Sequence, residues 1–120
     1  MERIGIGVVG CGNISDIYIK NLSTVFHNTK IVAVTDLIFE KSKEKAEKYN
    51  IPHVCETIDE LFALSEVEIV LVLTQPKDHV PIAKASLMAD KHTYVEKPYA
   101  YSREDAKMLI NIAKERGLYF

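Results

Sequence analysis

A doubly wound α/β domain, with helices on both faces of a parallel sheet, is the fold class that three features of the sequence predict. Apolar β-branched runs alternate with amphipathic stretches along the whole chain, with no linker, repeat or low-complexity segment between them. The run Ile69-Val70-Leu71-Val72-Leu73 has no polar alternation, as expected of a strand covered on both faces. Gly10, Gly12 and the small Ser15 cluster where the first apolar run meets the first amphipathic stretch, a place where backbone must turn sharply or be approached closely.

The elements follow in order. Ile4 to Val9 reads as the first strand, and Ile14, Ile17, Tyr18, Leu22, Val25 and Phe26 recur at the spacing of a buried helix face beginning at about Asn13. Ile31 to Thr35 is the second strand. Phe39, Ala46 and Tyr49 are expected to form the inner stripe of the next helix, with "EKSKEK" outward and Glu44 and Lys48 at a favourable spacing. Asn50 stands where a left-handed helix stop is wanted, and Pro52 follows it. His53 to Cys55 allows only a short strand, after which Thr57-Ile58-Asp59-Glu60 has the capping-box pattern of a brief helix reaching Leu64. Beyond the buried strand at Ile69 to Leu73, a helix is predicted over Asp78 to Ala89, a strand over Thr93 to Val95, and a last helix over Ser102 to Arg116. Ala106, Leu109, Ile110 and Ala113 are expected to face inward, and Gly117 to stop the helix. Leu118-Tyr119-Phe120 reads as the opening of a sixth strand, so the chain is expected to be the first domain of a longer protein, or a piece cut from one.

Composition narrows the function classes. A chain of 120 residues that is 48% apolar suits one soluble globular domain, and its net charge of −2, with lysines and glutamates interleaved, provides no basic face for nucleic acid. Cys11 and Cys55 stand apart, without zinc-site spacing or the density of a disulfide scaffold, which favours the cytoplasm. Val8-Val9-Gly10-Cys11 imitates a lipoprotein cleavage box, but the apolar stretch before it is short and interrupted by glycine, so export is rejected, and no run approaches a membrane span.

The glycines carry the first chemistry. Gly5, Gly7 and Gly10 match G-x-G-x-x-G literally, yet Val8 and Val9 are strand residues, and amides there cannot cluster at a helix N-terminus. The register that works starts at Gly10: Gly10 turns out of the strand, Gly12 lets a pyrophosphate reach the backbone, and Ser15 lets helix and strand pack closely. The amides of Asn13 and Ile14, at the positive end of the helix dipole, would face the phosphates. Asp36 ends the second strand about twenty residues later, where a carboxylate accepts hydrogen bonds from the adenosine ribose hydroxyls. The structural alternative for Asp36 is capping of the following helix, and both roles are compatible. A carboxylate here repels a 2′-phosphate and Leu37 supplies no cation, so NAD is favoured over NADP.

The second constellation is "YVEKPYA". Glu96 and Lys97 fall at the carboxyl end of the fifth strand, the edge where open α/β sheets bind ligands, and Pro98 fixes the chain's exit. Lys97 could hydrogen-bond a substrate hydroxyl or relay its proton, although spacing alone favours a solvated charge paired with Glu96. For His79, in the first turn after "LTQP", a capping or surface role is as well supported as contact with a cofactor. His27, His53 and His92 show no ligand spacing, no metal site is predicted, and Tyr94, Tyr99 and Tyr101 are expected to pack rather than to form a stacking platform.

Taken together, "VVGCGNIS", "VAVTDL" and "TQPKDHVPIAKASLMADKHTYVEKP", with the helix after them, resemble the N-terminal Rossmann domain of the Gfo/Idh/MocA oxidoreductases, over essentially all 120 residues. The most specific part is "EKP" about 17 residues after the histidine of T-x-x-x-x-H. The resemblance implies hydride transfer between a nicotinamide cofactor and a hydroxyl-bearing carbon of a sugar, cyclitol or related polyol. It implies that Gly10, Gly12, Asn13 and Ile14 hold the pyrophosphate, Asp36 the adenosine ribose, Thr74 and His79 the cofactor near its nicotinamide half, Glu96 the nicotinamide side, and Lys97 the reacting hydroxyl. It also implies a C-terminal substrate domain beyond Phe120, carrying much of a homo-oligomer interface, so that this chain alone would turn over little. Gln75, Asp90 and Leu37 depart from the family's common proline, glycine and arginine. The alternative function is a dinucleotide-sensing module of the same fold, which fold alone does not exclude.

Overall fold

The computed structural model describes residues 4–10, 29–74, 79–95 and 102–120. Nine elements are assigned among them: β1 (Ile4–Val9), β2 (Thr29–Thr35), α1 (Phe39–Tyr49), β3 (His53–Cys55), α2 (Ile58–Ala63), β4 (Ile69–Val72), α3 (His79–Met88), β5 (His92–Val95) and α4 (Arg103–Arg116). The helix expected from about Asn13 lies outside the described residues, as do Cys11, Gly12, Ile14, Ser15, His27, Gln75, Glu96, Lys97, Pro98, Tyr99 and Tyr101.

All pairings are parallel, as the alternation of elements predicts, and the sheet runs β3-β2-β1-β4-β5. Each central strand divides its side chains between two cores. Val9, Val70 and Val72 join Leu61 of α2, Ala83 and Leu87 of α3, and Leu109 and Ala113 of α4, whereas Val8, Leu71 and Leu73 join Ala46 of α1. That division is why the fourth strand shows no polar alternation: both of its faces are covered.

Two helix faces differ from expectation. Phe39 is 37% exposed at the start of α1, while Ser42, placed outward by the apolar stripe, is fully buried beside Ala46. Small residues let a helix approach a sheet closely, and the Ser42 hydroxyl donates to the Phe39 carbonyl at 2.7 Å, so its burial leaves no unmade hydrogen bond. On α4, Ile110 is 55% exposed, because the helix turns Leu109 and Ala113 inward with Met108 and Ile112 beside them. Tyr94 is likewise half exposed, on the face of β5 opposite the buried Thr93 and Val95.

The stops behave as the sequence predicts. Asn50, Asp90 and Gly117 all take left-handed backbone at φ 55°, 62° and 67°. Ser102 and Asp105 form a complete capping box on α4, but the one at Thr57 is half made. The Thr57 hydroxyl accepts from the Glu60 amide, whereas the Glu60 carboxylate reaches past Thr57 to the Glu56 amide. Leu118 to Phe120 is irregular and assigned to no strand, tied to β5 by the Thr93 amide donating to the Tyr119 carbonyl at 3.0 Å.

Two buried groups make stability pH-dependent. The Lys91 ammonium donates to the carbonyls of Leu64 at 3.0 Å and Val67 at 2.7 Å, fastening the loop after α2 to the entry of β5. Burial pushes its pKa below the ordinary 10.5, against the pull of Asp90 and Glu68. Burial also pushes the Cys55 thiol above its ordinary 9.0, and Glu60 adds to the effect. The signs oppose one another. Lys91 holds its proton less tightly folded than unfolded, so its contribution grows as pH rises from its lowered pKa towards 10.5. Cys55 holds its proton more tightly folded, so stability is lost as pH climbs from 9.0 through its raised value. Denaturant titrations from pH 7 upward should show Lys91→Met less stable by about 1.5–3 kcal/mol near neutrality, and without the alkaline gain. Cys55→Ala should lack the alkaline fall.

Candidate functional site

Three strand ends meet at one level, because Val9 pairs with Thr35 on β2 and with Val72 on β4. Gly10 follows, its amide donating to the Thr35 carbonyl at 2.8 Å, while the Leu73 amide donates to the Val9 carbonyl at 2.8 Å. The chain therefore leaves β1 pinned to both neighbours. At Gly10 φ is +101°, a conformation that side chains rarely adopt, and a β-carbon there would stand 2.8 Å from the Leu73 carbonyl carbon and 2.9 Å from the Thr74 nitrogen. The turn thus needs glycine for its dihedral and for its space. Strand order reverses between β1 and β4, which is where open α/β sheets form a crevice.

A cleft of about 550 Å³ opens there, within the size range of small-molecule sites. Gly10 and Thr74 line it where β1 and β4 end, Asp36 and Glu56 line it after β2 and β3, and Ile58 and Ile82 contribute apolar wall from α2 and α3. No lysine or arginine is among the described lining residues. The literal glycine match upstream has a different purpose. A β-carbon on Gly5 would overlap the Glu66 carbonyl oxygen, and one on Gly7 would lie 2.7 Å from a Leu61 methyl, so both glycines accommodate the segment that packs across β1.

Asp36 does not cap the following helix as its structural alternative expected: the N-cap of α1 is Ile38, which has no side-chain cap bond, and Asp36 acts one step earlier, in the turn. One carboxylate oxygen accepts from the Ile38 amide at 2.8 Å, which fixes the turn from β2 into α1 and with it the direction of the side chain. A carboxylate has about four acceptor sites, so this bond is compatible with accepting from ribose hydroxyls.

His79 opens α3 and is buried, 1% exposed, so it is not a surface residue. Its Nε2 lies 3.0 Å from the Thr74 carbonyl oxygen. A carbonyl only accepts, so Nε2 donates in this bond, and the other ring nitrogen is Nδ1. That Nδ1 is buried with no hydrogen-bond partner among the described residues. His79 is not on the described cleft wall; it holds Thr74, which is.

Of the residues singled out in the sequence, Gly10, Asp36 and Thr74 are thus brought to one cleft with His79 behind it, while Gly12, Asn13, Ile14, Glu96 and Lys97 lie outside the described residues. Glu56 and the apolar wall of Ile58 and Ile82 were not anticipated. The signal for Glu56 was available in the strand order, since β3 beside β2 puts the residue after Cys55 at the same edge as Asp36. Among the described residues, no three His, Cys, Asp or Glu side chains are placed to hold a metal, and no helix is long and apolar enough to cross a membrane.

Residues 4–120 match the family model described as "Oxidoreductase family, NAD-binding Rossmann fold". UDP-N-acetylglucosamine 3-dehydrogenase from Acidithiobacillus ferrooxidans is 30% identical over 121 residues, covering 98% of this chain and 36% of that protein. The crystal structure of GenD2 from gentamicin A biosynthesis in complex with NAD superposes with a TM-score of 0.92 at 31% identity, over 98% of this chain and 33% of its own. A 3-ketoreductase from Actinomadura kijaniata in complex with NADP and TDP-benzene superposes with a TM-score of 0.91 at 27% identity, over 98% of this chain and 36% of its own. The chain spans about a third of the length of these relatives.

Proposed function

The chain belongs to the Gfo/Idh/MocA oxidoreductase family as its NAD-binding Rossmann domain, and from that membership we propose that it holds the nicotinamide cofactor of a larger oxidoreductase acting on a sugar, cyclitol or related polyol. The observation that carries this reading is Asp36, anchored through Ile38 and lining the cleft at the β1/β4 switch point beside the Gly10 turn. These residues fit an adenine dinucleotide. The turn at Gly10 has no side chain to obstruct the approach, the carboxylate suits vicinal ribose hydroxyls, and the wall formed by Ile58 and Ile82 suits a flat apolar base.

When bound, a nicotinamide cofactor exchanges a hydride with the carbon that bears the hydroxyl. Gly10, Gly12 and the amides of Asn13 and Ile14 would hold the pyrophosphate, and Asp36 would orient the adenosine ribose. Thr74, held by His79, would serve the nicotinamide half, and Glu96 the nicotinamide side. Lys97 would hydrogen-bond the reacting hydroxyl and relay its proton to solvent when that carbon is oxidised. The UDP-N-acetylglucosamine 3-dehydrogenase relative supports a sugar-type substrate. NAD is preferred, because Asp36 repels a 2′-phosphate and the described cleft wall carries no cation to offset it. The solved relatives include one with NAD and one with NADP.

Calorimetric titration of the chain with NAD and NADP tests this reading. Saturable NAD binding is expected, weaker by about ten- to a hundredfold in Asp36→Ala, as for loss of hydrogen bonds to a charged group. Saturation by neither nucleotide, or NAD affinity indifferent to Asp36→Ala, would overturn it.

A further inference from the structure

We propose that Glu56 is a second specificity-determining residue of the cleft, a carboxylate that excludes a 2′-phosphate independently of Asp36; the proposal rests on the cofactor reading above. Thr35 on β2 pairs with Cys55 on β3, so the next residues, Asp36 and Glu56, leave neighbouring parallel strand ends. Such strands lie about 4.8 Å apart, and both residues line the cleft.

Both are also held at the main chain. Asp36 is fixed by the Ile38 amide, and Glu56 by its own amide donating to the Glu60 carboxylate at 3.2 Å. The Thr57 hydroxyl, accepting from the Glu60 amide at 3.2 Å, locks the same turn. The ribose end of the cleft is therefore bordered by the anchored Asp36 carboxylate and, at the adjacent strand end, by Glu56, held there through its main chain; Asp59 of α2 adds a third lining carboxylate, and no described lysine or arginine on the wall balances them. A phosphate monoester carries about −1.5 to −2 charges near neutral pH. At separations of about 5–8 Å near a protein surface, each carboxylate is sufficient to disfavour it about tenfold. A ribose hydroxyl carries no charge, so NAD escapes the penalty. It follows that removing Asp36 alone does not convert the cleft to NADP.

The test is the ratio of NADP to NAD affinity, measured by titrating both nucleotides into the wild-type chain, Glu56→Gln, Asp36→Ser and the double variant at low and high salt. Glu56→Gln is expected to raise the ratio about tenfold at low salt and less at high salt. The double variant is expected to exceed Asp36→Ser by a similar factor. A ratio unmoved by Glu56→Gln in either background, with NAD still saturating, overturns the role of Glu56 alone; equal gains for both nucleotides do the same. Failure of NAD to saturate any of these proteins overturns the cofactor reading and this inference together. Glu56 is exposed, so its substitution should leave the fold intact, which melting curves of each variant check.

Discussion

Gly10→Ala is expected to destabilise the domain by about 2–6 kcal/mol and to abolish dinucleotide binding under conditions where the wild type saturates. Two independent penalties add. Holding a side chain at φ +101° costs about 1–3 kcal/mol. Forcing a β-carbon against the backbone of Leu73 and Thr74 costs about 1–3 kcal/mol more, because the obstacle is main chain just past the end of β4 and cannot rotate away as a side chain can. Against a total stability of about 5–15 kcal/mol, the variant either stays folded with a displaced β1–β4 crevice or melts at ordinary temperature. Gly117→Ala is the matched control. Its φ is +67°, and a β-carbon there meets nothing within 4 Å, so it should show only the dihedral penalty. Urea titrations of the two variants separate the terms, and equal losses would mean that the contact with Leu73 and Thr74 carries no energy.

The largest effect on activity is expected at Lys97. In the larger oxidoreductase proposed above, Lys97→Met should lower kcat by about 10²- to 10⁴-fold, the usual worth of a positioned proton-transfer group, while NAD affinity changes by only a few-fold. Lys97→Arg keeps the positive charge but cannot release a proton at accessible pH. It should therefore fail like Lys97→Met if the lysine moves the proton, and recover if the lysine only attracts a dipole. Steady-state kinetics with separate cofactor titrations read both. Turnover retained in Lys97→Met would remove the residue from the mechanism. A parent protein that binds NAD saturably but turns over no polyol or sugar would favour the dinucleotide-sensing alternative.

What could be read in the sequence, and what could not, follows from how far each feature depends on its neighbours. The Ile69 to Leu73 run announced a doubly covered parallel strand, and Asn50 and Gly117 announced their helix stops, because these signals are local to the backbone. Gly10 and Asp36 were legible for the same reason, each sitting at a strand end within one βαβ pattern. The burial of Ser42 was hidden because an apolar stripe measures hydrophobicity, whereas this contact selects for small size and a hydroxyl satisfied by its own helix. Ile110 misled because it borders a stripe whose centre lies at Leu109 and Ala113. The inward turn of His79 depends on the Thr74 carbonyl, and the placement of Glu56 on which strand lies beside β2, so neither is written in its own local sequence.

The two glycines inside β1 bear on how selection would act on this strand. Every codon change at Gly5 or Gly7 that specifies another amino acid adds a β-carbon, and at both positions that atom meets the segment crossing over β1. Purifying selection would act on them through that contact alone, at Gly5 against main chain and at Gly7 against side chains, and neither lines the cleft. Across descendants of this chain, a frozen G-x-G-x-x-G at positions 5 to 10 would therefore record two unlike demands, two residues kept for the crossing segment and one for the turn. Invariance there, however complete, would be no measure of nucleotide binding.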